Sequence, residues 1–288
     1  MFGLCEPAHP RLAYGFWRFT EADLDVAEKL LAQAREAGVD HLDTADVYGG
    51  GQTYGGAERM LGALRRRAPA LFDGATLATK AGVEFGTPYN SSPDYVRAAC
   101  DASLTRLGVE RIDLFYVHRP DLLTHPAELA ATLDGLIAQG KVAAIAVSNF
   151  TTSQVEALTV QLKHPLVAHQ IELSAAHASP FMDGVIDQAM RLRIGVFAWS
   201  PLAGGQLLDG AAETKPVHDI LAEIAMRHGA PLEAVALAFL LKHPASITPI
   251  IGTKRADRLA NCLRATEVQL SRLEWYAILQ AALGAKLP

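Results

Sequence analysis

Eight short apolar runs rich in β-branched and aromatic residues recur along the chain, and segments of helical period alternate with them. The runs occupy residues 11–15, 39–44, 75–80, 112–118, 142–148, 167–173, 194–200 and 247–252. Strands that alternate with helices build βα units and a parallel sheet. Eight such units in 288 residues fit a closed (β/α)8 TIM barrel. The rival α/β arrangement, a doubly wound sheet, usually carries a Gly-rich turn after its first strand. Here the first run passes into Gly15-Phe16-Trp17, which is too bulky for that turn. No linker or low-complexity stretch divides the chain, so the expectation is one domain over residues 1–288, with extra helices near the C-terminus.

The helical segments carry their own punctuation. In 92–108, Ser92 stands ready to cap and Pro93 takes the first helical position. Val96, Ala99, Cys100, Ser103, Leu104 and Leu107 share a face, and Gly108 follows the end. Segment 126–139 repeats the design, with Pro126 first, Leu129, Leu133, Leu136 and Ile137 inside, and Gly140 after it. Further helices are expected near 20–37, 57–66, 152–162, 183–192, 216–228, 232–242 and 256–264. A last one at 272–282 begins with the capping pair Ser271 and Glu274. Glycines at 49–51 and 55–56 read as a loop after the second strand. No Gly-Lys-Ser/Thr follows them, so they form no phosphate loop.

Composition narrows the function. Half of the residues are hydrophobic, 20% are charged and the net charge is −5, with no long basic run. That pattern argues against a nucleic-acid or membrane partner. The longest apolar stretch, Ala234 to Leu241, is too short to span a bilayer. The first ten residues show no signal-peptide pattern. Cys5, Cys100 and Cys262 are few and widely spaced, which favours a reducing, cytoplasmic location over a disulfide framework.

The strand candidates share a further pattern: each is apolar along its body and polar or aromatic near its end. Asp43, Lys80, His118, Ser148-Asn149 and Trp199-Ser200 fall at such ends, and Gln170 lies within the sixth run. The C-terminal strand ends of a (β/α)8 barrel converge on one mouth, where active sites are built. The chemistry expected there is a carboxylate, a lysine, a histidine and the nearby Tyr48. A free tyrosine, with a pKa of about 10, is a poor acid at neutral pH, and a neighbouring ammonium stabilises its phenolate. A carboxylate would keep the lysine charged, and the histidine would orient a carbonyl or share the proton. This set polarises C=O and protonates an alkoxide, and it includes no strong nucleophile. Taken singly, each residue has an ordinary reading: Asp43 as a helix cap, Tyr48 as a packed aromatic, Lys80 on the surface, His118, His169 and His177 as core histidines. Arg119 and Asp121 read as a structural or solvated pair. Trp17 reads as core or as pocket wall.

Seven runs in order carry a resemblance. They are D-T-A-D-V-Y (43–48), L-A-T-K (77–80), D-L-F-Y-V-H-R-P-D (113–121), G-K-V-A-A-I-A-V-S-N-F (140–150), H-Q-I-E-L-S (169–174), W-S-P-L-A-G-G (199–205) and P-I-I-G-T-K-R-A-D-R-L (249–259). The chain resembles the aldo-keto reductase superfamily. Its opening Y-G-F-W-R and closing A-A-L-G-A-K-L-P look closer still to bacterial YdhF-type oxidoreductases.

The resemblance implies reduction of a small-molecule aldehyde or ketone by NADPH. Tyr48 would be the general acid, Lys80 would depress its pKa, Asp43 would pair with Lys80, and His118 would orient the carbonyl. For the cofactor it implies Trp199 on the nicotinamide ring and Ser148, Asn149 and Gln170 on the carboxamide. Leu202, Gly204 and Gly205 would lie along the pyrophosphate, and Thr253, Lys254, Arg258 and Asn261 around the 2′-phosphate. Gly15, Phe16, Trp17, Asp43, Ser200 and Gly252 complete the implied cofactor contacts. Two residues depart from the family pattern: Cys262 replaces an adenine-contacting Asn, and Trp199 replaces the commoner Tyr. Two other functions compete. A metal-dependent hydrolase on Asp43, His118, His169 and His177 lacks a His-x-His on the first strand, and no metal is expected. A nucleotide-binding, reductase-like sensor or subunit with little turnover is opposed by the intact set of four. The physiological substrate and the oligomeric state are not legible in the sequence.

Overall fold

The computed structural model describes residues 12–50 and 54–287. Arg11 at the start of the first expected strand, Cys5, the N-terminal ten residues, Gly51 and Pro288 lie outside the described residues. All eight expected strands form: β1 Ala13–Gly15, β2 His41–Asp43, β3 Thr76–Ala81, β4 Ile112–Val117, β5 Val142–Ser148, β6 Leu166–Glu172, β7 Gly195–Trp199 and β8 Thr248–Ile251. They follow one another in sequence order around a closed barrel. The register pairs Asp43 with Ala78, Lys80 with Tyr116 and Ser148 with Gln170, all in parallel.

The helices are α1 Leu24–Glu36, α2 Gly56–Arg67, α3 Pro93–Leu107, α4 Pro126–Ala138, α5 Thr152–Thr159 and α6 Val185–Leu192. They continue with α7 Gln206–Asp209, α8 Lys215–His228, α9 Leu232–Leu241, α10 Ala256–Leu263 and α11 Arg272–Leu283. Only the single-turn α7 has no counterpart among the sequence expectations. Two left-handed glycines, Gly204 and Gly205, precede it and break the helical period that a sequence reading follows. At α3, Pro93 opens the helix as expected, but the Ser92 side chain makes no capping bond. Its backbone N–H goes instead to Asn90 Oδ1 at 3.0 Å. At α11 the expected capping box is complete: Ser271 Oγ accepts from the Glu274 N–H, and the Glu274 carboxylate accepts from the Ser271 N–H.

Residues 14–170 make one compact unit and residues 12–13 with 171–287 the other. The first holds β2–β5, the first five residues of β6 and α1–α5. Alternation along β3 turns Lys80 one way and Thr79 the other, because successive strand residues face opposite sides. Thr79 bonds to Glu58 of α2, while Lys80 bonds to Asp43. The second unit is built on α9, whose residues 234–240 are all buried. Phe181, Phe239, His243 and Trp275 pack there as an aromatic cluster, and Trp275 Nε1 donates to the Phe239 carbonyl at 2.8 Å. No single described helix is long and apolar enough to cross a membrane.

Candidate active site

Asp43 ends β2, Lys80 lies near the end of β3, and His118 follows β4. Tyr48 sits on the loop between β2 and α2. The four, distant in sequence, meet within residues 14–170. Lys80 Nζ donates to Asp43 Oδ2 at 2.7 Å and to the Thr44 carbonyl at 2.8 Å. The other Asp43 oxygen accepts from Gln170 Nε2 at 2.8 Å. The Lys80 side chain is 0% exposed and that of Asp43 is 5% exposed, so the pair is shut off from water. The Lys80 ammonium lies 4.9 Å from the Tyr48 ring centroid, and the Tyr48 hydroxyl is 3.5 Å from His118 Nε2.

The electrostatics follow from this burial. Burial alone would strip the proton from Lys80, but the Asp43 carboxylate and the Tyr48 phenol outweigh it, and the ammonium titrates above the usual lysine range. Burial, with the Lys80 and Arg119 charges, drives His118 well below the ordinary histidine range, so its imidazole is neutral. Tyr48 departs from expectation. Lys80 pulls its phenol downward, yet burial pushes harder and leaves it above the ordinary tyrosine value. At neutral pH the phenol therefore keeps its proton.

Beside Tyr48 lies a cleft of about 390 Å³ lined by Trp17, Arg18, Thr20, Val47, Gly49 and Gly50. Trp17 is 58% exposed beside this cleft and is not part of the core. The Arg18 guanidinium lies 4.8 Å over the indole. Phe16, grouped with Trp17 by the resemblance, is instead fully buried against Tyr14 and Phe19. Gly15 ends β1 and is buried too. Ser148 and Asn149 follow one another at the end of β5. Asn149 adopts a left-handed φ of 59°, and its Nδ2 donates to Ser148 Oγ at 2.7 Å. Gln170 lies on β6, and one N–H of its side-chain amide is given to Asp43.

In residues 171–287, Trp199 ends β7 half-buried, and Ser200, Ala203, Gly204 and Gly205 all take positive φ. Leu202 lies half-buried among them. A side chain on Gly205 would start 3.9 Å from the Arg258 guanidinium, so this turn and α10 face each other closely. Gly252 follows β8. Thr253 Oγ1 accepts from the Arg255 N–H at 3.2 Å, Lys254 is exposed, and Asn261 Nδ2 reaches Glu233 at 3.4 Å. Asp257 is held by Arg255 at 2.5 Å. Cys262 is fully buried, and burial pushes its thiol up to about 12, so it presents no group to a ligand.

One sequence reading needs correction. His177 is not a core histidine: it is exposed on a turn, where Ser174 Oγ accepts its backbone N–H at 3.0 Å. Polar neighbours on a tight turn, and not the apolar flank at 171–176, decide its place. Asp121 is structural: it accepts from the Leu123 N–H and the Thr124 hydroxyl of its own loop and from the Ser91 N–H before α3. His169 is buried as expected, its Nε2 accepting from the Phe150 N–H at 3.2 Å. Among the described residues, no group of three or more His, Cys, Asp or Glu is placed to hold a metal ion. Sequence reasoning missed Asp46, Glu58 and Arg106, which lie close to one another. Glu58 in A-E-R reads as a solvated first turn of a helix, and no local signal separates it from one.

Comparison with known proteins agrees with this geometry. The model of the aldo/keto reductase family matches residues 11–282. A 6-dehydroglucose reductase of Novosphingobium aromaticivorans is 44% identical over 282 residues, covering 96% of this chain and 93% of its own. Oxidoreductase YdhF of Escherichia coli is 31% identical, covering 98% and 96%. A thermostable aldo-keto reductase solved with the inhibitor epalrestat superposes with a TM-score of 0.80 at 25% identity, covering 94% of this chain and 95% of that one. The chain belongs to the aldo/keto reductase family and is an NAD(P)H-dependent oxidoreductase acting on small-molecule carbonyl compounds.

Proposed function

We propose that this protein reduces aldehyde or ketone carbonyls to alcohols with NADPH, and that Tyr48 donates the proton. One observation carries the reading: the Tyr48 phenol stands 3.5 Å from a neutral His118 and beside a buried ammonium that Asp43 holds charged. A nicotinamide cofactor, when bound, would supply the hydride. As the carbonyl oxygen gains negative charge, the phenol gives up its proton to it. Because burial keeps that phenol protonated, the acid form is present at neutral pH. Lys80 then stabilises the phenolate left behind, in a dry site where a single charge acts strongly. Asp43 keeps Lys80 charged and in place. The His118 imidazole lines up the carbonyl oxygen through Nε2 and does not compete as an acid, since its own pKa lies well below neutral.

The residues present fit NADPH. Ser148 and Asn149 offer side-chain amide and hydroxyl groups to the carboxamide, and Trp199 offers a ring to the nicotinamide. The left-handed turn at Gly204 and Gly205 brings backbone close to the Arg258 guanidinium, as a phosphate requires. Thr253, Lys254 and Arg258 would take the 2′-phosphate. Asp257, the carboxylate that would otherwise suit ribose hydroxyls, is turned to Arg255. We further infer one domain over residues 1–288, supported by the unbroken family match through 11–282. A cytoplasmic site of action is supported by the free, buried Cys100 and Cys262. For the substrate we propose a carbohydrate-type carbonyl. The 44% identical relative is named for 6-dehydroglucose, and the cleft beside Tyr48 offers an indole face and a guanidinium to a polyhydroxylated molecule.

The test is Tyr48→Phe. Its kcat should fall by roughly 10²- to 10⁴-fold, the usual contribution of general acid catalysis, while fluorescence titration shows NADPH still bound. Near-normal turnover would remove Tyr48 from the role.

A further inference from the structure

Behind the proton donor lies a buried set of charges that the chemistry above does not use. Glu58, in the first turn of α2, is fully buried. One of its oxygens accepts from Thr79 Oγ1 at 2.6 Å, and the other accepts from Arg106 Nε of α3 at 2.6 Å. Thr79 is the residue before Lys80. Arg106 in turn packs directly against Gly55, leaving no space for a side chain there. Gly55 donates its N–H to the Asp46 carbonyl at 2.5 Å, and Ala57 donates its N–H to the Tyr48 carbonyl at 3.0 Å. Gly49 and Gly56 touch backbone to backbone, so the loop bearing Tyr48 is docked on the start of α2. On its other side the Asp46 N–H bonds to the Lys80 carbonyl at 3.0 Å.

We propose that Glu58, held by Arg106, is a positioning residue that fixes Tyr48 relative to Lys80. It reaches Tyr48 through the start of α2 and Lys80 through Thr79. This rests on Tyr48 being the proton donor. Glu58 suits the task because it is fully buried at the start of the helix on which the Tyr48 loop docks, and bonds directly to the strand that carries Lys80. Asp46, on the same loop, is also buried, and burial and the Glu58 charge push its carboxyl well above the usual range. The Arg106 guanidinium is met by Glu58 at 2.6 Å.

The experiment compares Glu58→Gln and Thr79→Val with wild type and Tyr48→Phe. Glu58→Gln keeps the shape and removes the charge; Thr79→Val keeps the volume and removes only the link to β3, so it decides the matter if Glu58→Gln fails to fold. A misplacement near 1 Å lowers turnover by up to about 10²-fold. Both variants should therefore lose roughly 10- to 100-fold in kcat, with the Kd for NADPH unchanged and a larger solvent deuterium isotope effect, since proton transfer becomes the slow step. Normal kcat in either folded variant overturns the proposal. So does a loss matched by an equal rise in the Kd for NADPH, or one with an unchanged isotope effect. Collapse of Tyr48→Phe beside normal Thr79→Val leaves the donor standing and removes the positioning role. Near-normal Tyr48→Phe brings down both.

Discussion

Lys80 shows how one residue carries both stability and chemistry. A fully buried ammonium survives because Asp43 and the Thr44 carbonyl take its hydrogen bonds and the Tyr48 phenol supports it. Replacing it by Met keeps much of the volume but leaves Asp43 buried and unpaired on one side. Breaking a buried pair by removing one partner typically costs about 3–5 kcal/mol. Lys80→Met should therefore lower the urea midpoint together with kcat, whereas Lys80→Arg should keep more of the stability and still lose turnover, because a planar guanidinium does not replace a compact ammonium. Urea melts and steady-state rates on the two variants check this; an unchanged midpoint for Lys80→Met would show that the pair adds nothing to the fold.

Among the elements, α10 carries the cofactor prediction. Its start presents backbone N–H groups beside Lys254 and Arg258. A hydrogen bond to a charged group is worth about 1.5–3 kcal/mol, so Arg258→Ala should raise the Kd for NADPH by roughly 10- to 100-fold and hardly alter that for NADH. Equal losses for both cofactors, measured by fluorescence titration, would make Arg258 structural. The elements themselves were largely legible, since periodicity two and periodicity 3.6 report burial directly. All eight strands fell within a residue or two of their expected places. Asp43, Lys80, Tyr48 and His118 could be grouped because barrel topology brings strand ends together. What stayed hidden depends on contacts that no periodicity encodes. Phe16 is buried by Tyr14 and Phe19, His177 is exposed by a tight turn, and Glu58 is drawn inward by Thr79 and Arg106. Gln170 was placed correctly, but its partner Asp43 lies 127 residues away.

For the molecule as a whole, buried histidines set the response to acid. Burial lowers His169 to about 4 and, with Lys80 also acting downward, lowers His41 to about 4, against an ordinary value of 6.5. His118 moves the same way. The unfolded chain binds these protons below pH 6.5 and the folded one does not, so their contribution is present above pH 6.5 and is lost progressively as pH falls toward 4. Each extra proton bound by the unfolded state costs at most about 1.4 kcal/mol per pH unit. Urea unfolding at pH 7 and pH 5 should show a clear fall in stability; equal midpoints would mean that these imidazoles are not held neutral. The contact of Gly49 with Gly56 bears on how such an enzyme diversifies. It closes the backbone on itself at residues 49 and 56, as a clasp closes a bracelet, so a side chain added at either glycine would prise it open and shift the loop that carries the phenol. Such an enzyme can therefore vary other positions around its mouth to change substrate choice, while these two stay shut to anything larger than glycine if the proton donor is to keep its post.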